Sequence, residues 1–150
     1  MKMSLLQKGE EPPYELLLLA DPSMQMLDSY LSAALVYLFR LENKVIAVYV
    51  LYPLDNITAE IKNIAVAETF QNQGAGKLLL QHAIESARKK GYKKLLIGTG
   101  NSSMGQLYLY QKMGFEPTEI IPDFFVKNYK DPIYENGIQC KHKIQLIKLL

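Results

Sequence analysis

Residues 71 to 77 read Gln71-Asn72-Gln73-Gly74-Ala75-Gly76-Lys77. Ahead of this stretch, Thr58 to Ala67 carries Ile61, Ile64 and Val66 and reads as a strand. Behind it, Leu79, Leu80, Ala83, Ile84 and Ala87 recur at three- and four-residue spacing, which predicts a helix from about Gly74 to Lys90. Arg88, Lys89 and Lys90 fall in its last turn, where cations suit the negative end of the dipole, and Gly91 is placed to cap it. The first amides of a helix have no internal partner, and glycines let a ligand approach them closely. The stretch is therefore either a cradle for a phosphate or pyrophosphate or a glycine-rich turn that holds nothing.

Two common phosphate loops fail on the residues themselves. A P-loop needs Gly-x-x-x-x-Gly-Lys-Ser/Thr. Here Gln71 stands at the first glycine and Leu78 at the hydroxyl, leaving nothing to hold magnesium. A dinucleotide fingerprint needs Gly-x-Gly-x-x-Gly, and Gly74 and Gly76 are followed by Leu79.

Working outward, Tyr14 to Leu19 reads as a first strand. Asp21 is a helix N-cap with Pro22 at the first position, and that helix runs to about Ser32. Ala34 to Leu41 and Lys44 to Tyr52 form a hairpin about Glu42-Asn43. Lys94 to Ile97 is a short strand, Ser103 to Met113 a helix closed by Gly114, and Asn136-Gly137 a turn. Ile138 to Leu149 alternates as a final strand. The order is mixed α/β, with no internal repeat or linker, so residues 1–150 are taken as one domain.

Composition narrows the function. A chain of 150 residues buries about 70% of its unfolded surface, and 49% hydrophobic residues suffice to fill that core. A net charge of +2 speaks against a nucleic-acid partner. The single Cys140 excludes an internal disulfide, and His82 and His142 lie too far apart to signal a metal. Met1 to Glu11 lacks the apolar stretch of a signal peptide, and Leu16 to Ala20 is far short of the ~20 residues a bilayer needs. No membrane association and a cytoplasmic location are expected.

The loop also fits a third pattern, Gln/Arg-x-x-Gly-x-Gly/Ala, at Gln71, Gly74 and Gly76. Ile64-Ala65-Val66 precede it, and Asn101, Tyr110, Gly114 and Phe115 follow in the order Asn…Tyr-x-x-x-Gly-Phe. This array, spanning about Thr58 to Phe115, resembles the GNAT superfamily of N-acetyltransferases. In that family the asparagine usually precedes the tyrosine by seven residues. Asn101 stands so from Tyr108, and Tyr110 lies two further on, about 200° around the helix. The Tyr-Gln-Lys-Met-Gly-Phe ending makes Tyr110 the match.

The resemblance implies a GNAT fold, a mixed central sheet flanked by helices and splayed between its fourth and fifth strands. It implies acetyl-CoA as co-substrate, with no metal, in the V-shaped opening between Val66 and the strand Lys94 to Ile97. The pyrophosphate would sit on the amides of Gln71, Asn72, Gln73, Gly74, Ala75, Gly76 and Lys77. The pantetheine would pair with backbone at Ile64, Ala65 and Val66 and meet Asn101 from the far side. It further implies acetyl transfer by direct attack in a ternary complex, onto a primary amine of a small molecule or peptide. Tyr110 is then the candidate general acid for the departing thiolate.

Glu60 is the candidate acceptor of the amine's proton, against the alternative of a solvated strand-end carboxylate. His82 reads as exposed and His142 as packed inward. Asp123, Phe124, Phe125 and Tyr129 either line an acceptor pocket or pack on the sheet. The lysines at 127, 130, 141, 143 and 148 read as a solvated surface, with an anionic acceptor as the other possibility. A domain that binds acyl-CoA as a sensor, without catalysis, is the rival function. Homodimerisation is left open.

Overall fold

Leu35–Leu41 (β2) and Lys44–Pro53 (β3) are rich in β-branched and aromatic residues and fold back on each other. Glu42 and Asn43 both take positive φ, 50° and 68°, the conformation of a tight hairpin turn whose twist matches its strands. The protein is described here by a computed structural model covering residues 2–150.

The hairpin sits inside a seven-stranded sheet of order β1-β2-β3-β4-β5-β9-β6. Its other strands are Lys2–Leu5 (β1), Thr58–Val66 (β4), Lys94–Gly100 (β5), Glu116–Ile121 (β6) and Lys143–Leu149 (β9). Ile133–Glu135 (β7) and Ile138–Cys140 (β8) form a separate hairpin about Asn136-Gly137. The helices are Tyr14–Ala20 (α1), Met24–Tyr30 (α2), Ala75–Lys89 (α3), Met104–Lys112 (α4) and the short Phe124–Asn128 (α5).

β4 and β5 are parallel, joined by α3 as crossover. Their pairing runs only from Thr58 with Lys94 to Ile61 with Ile97, and beyond it the strands part. On its other side β5 pairs with β9 along its whole length. One apolar layer packs Leu79, Leu80 and Ala83 of α3 on Tyr49, Ile61 and Leu95. The opposite layer packs Leu16, Leu17 and Leu27 on Leu38, Val48 and Val50. The expected helix stripe is thus the face that α3 buries, and Gly91 follows it at φ 89°.

Three expectations give way. Tyr14 to Leu19 is a helix, not a strand: Leu16 and Leu17 are buried side by side while Leu19 is exposed, and a strand would bury alternate residues. Asp21 caps nothing. The second helix starts at Met24, where Ser23 Oγ accepts from Met26 N–H at 3.2 Å. The run Ile138 to Leu149 is two strands broken at Lys141-His142. β1 and β6 have no signature in the sequence, because edge strands with little burial carry no alternation. Among the described residues no helix is long and apolar enough to cross a membrane.

Candidate active site

The parting of β4 from β5 opens a cleft whose walls are bare strand edges. Past Ile61, the edge of β4 that faces β5 has no strand partner. Val50 pairs with Asn63 and Leu51 with Ile61, so Lys62 is an extra residue, a bulge that bends β4 at the mouth of the cleft.

One half of the cleft, about 480 Å³, is lined by Ile64, Ala65, Val66, Gln71, Asn72 and Gly76 from the strand end and loop. Leu109 and Tyr110 of α4 close its far side. Gln71 Nε2 donates to the Val66 carbonyl at 2.9 Å, fastening the loop to the strand. Gly74 stands at the N-cap of α3 with φ 87°, left-handed backbone that glycine takes without strain, and no side chain caps this helix end. The first intrahelical bond runs from Leu78 N to Gly74 O, so the amides of Ala75, Gly76 and Lys77 are left for an anion. The Ala75 side chain faces the core, whereas Gln73 and Lys77 are exposed.

The other half, about 360 Å³, holds the ionisable groups. Glu60 lies mid-strand between Tyr52 and Leu96, its side chain only 6% exposed, so it is not a solvated strand end. Lys62 Nζ lies 3.3 Å from Oε1 and Lys143 Nζ 3.5 Å from Oε2. Lys143 is thereby corrected from surface lysine to half-buried ion-pair partner, and Lys148 is also half-buried, whereas Lys127, Lys130 and Lys141 are exposed.

Tyr110 borders both halves. It is buried, packs its ring 6.3 Å from that of Phe115, and its hydroxyl has no hydrogen-bond partner among the described residues. Burial pushes its pKa upward, which keeps the phenol protonated as a donor. Tyr108 points away: it is 65% exposed and accepts from Lys112 Nζ at 3.2 Å. Of the two tyrosines, only Tyr110 faces the cleft.

Asn101 takes a different part from the one expected. Its Oδ1 accepts from the amides of Lys141 and His142 at 2.8 and 2.9 Å, and its Nδ2 donates to the Gln139 carbonyl at 3.1 Å. It lines neither half of the cleft, and pins the β8–β9 break instead. Asn136, across the β7–β8 turn, borders the loop side in its stead.

The histidines also differ from their reading. His82 is half-buried, with Nδ1 2.7 Å from the Tyr49 hydroxyl, and burial above all lowers its pKa. His142 is 38% exposed at its side chain and sits at the strand break, where Nδ1 accepts from Asp123 N–H at 2.9 Å. Phe124, Phe125 and Tyr129 do line the second half of the cleft, and Asp123 does not. Among the described residues no group of His, Cys, Asp and Glu is placed to hold a metal ion.

Three residues that the sequence reading did not assign to the site complete it. Asp21 is 7% exposed, and its Oδ1 accepts from Tyr129 Oη at 2.6 Å and its Oδ2 from Tyr30 Oη at 3.1 Å. Asn63 Nδ2 in turn donates to Tyr30 Oη at 3.2 Å. Burial raises the Asp21 pKa more than these hydroxyl donors lower it. Nothing local in sequence announces the arrangement, since Tyr129 lies 108 residues from Asp21.

The profile of the Acetyltransferase (GNAT) family matches residues 5–115. A GNAT family acetyltransferase of Elizabethkingia anophelis, solved with acetyl-CoA bound, is 55% identical over 99% of this chain and 97% of its own, with a TM-score of 0.97. The structure of an IAA acetyltransferase from Bacillus cereus is 47% identical over 99% of both chains, with a TM-score of 0.96. The N-acetyltransferase YvbK of Bacillus subtilis is 44% identical over 146 residues, 97% of this chain and 94% of its own.

Proposed function

Because this chain belongs to the GNAT family of acetyltransferases, we propose that it transfers the acetyl group of acetyl-CoA to a primary amine by direct attack in a ternary complex. The observation that carries this reading is the bare β4 edge beyond Ile61, leading straight into the uncapped amides of α3. An edge strand takes an extended ligand by backbone hydrogen bonds, and helix amides with a positive dipole end take a diphosphate. Acetyl-CoA has both parts in that order. Its pantetheine suits Ile64 to Val66, and its pyrophosphate suits the loop from Gln71 to Lys77.

The reaction forms a C–N bond and breaks the C–S bond of the thioester. An ammonium has no lone pair for attack, so a proton leaves the amine first. Glu60, buried in the half of the cleft away from the loop, accepts that proton directly or through water. Lys62 and Lys143 hold its two carboxylate oxygens in place through their ion pairs. A backbone amide near Val66 polarises the thioester carbonyl and holds the charge that develops on its oxygen. Tyr110, protonated and without a hydrogen-bond partner among the described residues, donates to the departing thiolate. Holding two reactants in one cleft supplies much of the acceleration.

Mixing the protein with acetyl-CoA and a panel of amines, and following free thiol, tests the reading. Thiol release that depends on the amine is expected. Binding of acetyl-CoA without release for any amine would mark a non-catalytic acyl-CoA sensor instead.

A further inference from the structure

The half of the cleft away from the loop carries more negative than positive charge. Its lining holds three carboxylates, Asp21, Glu60 and Glu135, and two ammonium groups, Lys62 and Lys143. Both lysines pair with Glu60. Glu135 accepts from Ser103 Oγ at 2.7 Å. Asp21, more than nine-tenths buried, has no cation within ion-pair distance among the described residues, and Lys143, which pairs with Glu60, acts on it only from further off. Its neighbours are neutral donors only, the hydroxyls of Tyr30 and Tyr129 and the backbone amide of Ser23. In the same lining, Asn63 Oδ1 is buried with no donor at all.

A buried carboxylate without a countercharge is costly, and structures relieve it by pairing. Here the surroundings are aromatic. Tyr30 and Tyr129 flank the carboxylate, and Phe125 stacks on Tyr129 with ring centroids 5.6 Å apart. Aromatic faces beside a carboxylate favour an organic cation. An alkylammonium brings a positive charge and three N–H donors, and a carboxylate ligand brings only acceptors.

Resting on the acetyl-transfer reading of this cleft, we propose that Asp21, framed by Tyr30, Phe125 and Tyr129, seats a second cationic group of the acceptor. The acceptor is then a diamine or longer polyamine, with its reacting nitrogen toward Glu60 and its far ammonium at Asp21. A monoamine leaves Asp21 unpaired. An amino acid of the same length sets carboxylate against carboxylate.

Three acceptors with the same five-carbon chain separate these cases: cadaverine, pentylamine and δ-aminovalerate. Cadaverine is expected to exceed pentylamine in kcat/KM by about tenfold or more, as a charge-assisted contact implies, with δ-aminovalerate slowest. Asp21→Asn is expected to lower kcat/KM for cadaverine about tenfold more than for pentylamine. Tyr129→Phe, which keeps the charge and removes one donor to it, is expected to shrink the preference less. Calorimetry gives a readout independent of turnover: cadaverine binds the CoA-loaded protein, and Asp21→Asn loses that heat. Equal rates for cadaverine and pentylamine, a preference that survives Asp21→Asn, or no heat from cadaverine would each overturn the proposal. Turnover of pentylamine with no cadaverine preference overturns this seat alone. Cadaverine heat that depends on Asp21, with no thiol released from any amine, upholds the seat and overturns acetyl transfer.

Discussion

Lys143 lies across the face of Gly98 and carries its ammonium to 3.5 Å from Glu60 Oε2. Gly98 is the first residue of β5 beyond the last pair with β4, so the lysine spans the apex of the cleft from β9 to β4. A methyl group on Gly98 would occupy the space of Lys143 Cε. Gly98 is not among the positive-φ glycines, so alanine there meets no backbone strain. Gly98→Ala is therefore expected to leave stability within about 1 kcal/mol of the parent. It should also lower kcat on the order of tenfold by displacing one of the two lysine partners of Glu60. Lys143→Met should lower kcat similarly. Melting curves and rates at saturating acetyl-CoA check both, and a full rate in Gly98→Ala would detach Lys143 from the chemistry.

Tyr110 keeps its shape as phenylalanine, and its ring contacts with Phe115 survive. What is lost is one proton donor facing both halves of the cleft. Tyr110→Phe is expected to cut kcat on the order of 10²-fold, the size of a lost general acid, with the KM for acetyl-CoA largely kept. Tyr108→Phe, on the outer face, should change neither constant. An unchanged kcat in Tyr110→Phe removes the tyrosine as the acid.

Asn101 divides structure from chemistry in the opposite sense. Its amide satisfies two backbone N–H groups and one carbonyl at the β8–β9 break. Asn101→Ala is expected to destabilise the protein by about 1–3 kcal/mol through the groups it strands. The KM for acetyl-CoA should stay where it was. A raised KM with an unchanged melting temperature would return Asn101 to the cofactor.

What could be read from the sequence was what local spacing encodes. The stripe of Leu79, Leu80, Ala83, Ile84 and Ala87 follows from helical period alone, and every one of these residues is buried. The loop that precedes them was legible because capping and glycine backbone are local physics. Four leucines in a row carry no period, so from sequence α1 reads equally as a buried strand. β6 is exposed along nearly all its length and gives no alternation to detect. The acceptor half was the least legible, because its contacts join distant segments. Glu60 meets Lys143 across 83 residues, and Lys143 read as one more surface lysine. Asp21, followed by Pro22, looked like a helix cap, and only the packed sheet turns its carboxylate toward Tyr30 and Tyr129.

Asp21 also sets a pH dependence of stability. Its carboxyl titrates above the 3.8 of an unfolded chain, because burial outweighs the donors from Tyr129 and Tyr30. An acid with a raised folded pKa favours the fold most below its unfolded pKa, and that contribution is lost as pH rises through the folded value. At neutral pH the ionised Asp21 is therefore a cost, one that a site binding a cation retains for function. Asp21→Asn removes the charge at nearly constant shape. It is expected to melt a few degrees above the parent near neutral pH, and the gap should close as pH falls toward 3.8. Saturating cadaverine should raise the parent's melting temperature and leave that of Asp21→Asn nearly unmoved. Thermal melts across this range, with and without the diamine, decide it. A variant that melts lower than the parent at neutral pH would mean that the tyrosine donors stabilise the carboxylate more than burial penalises it.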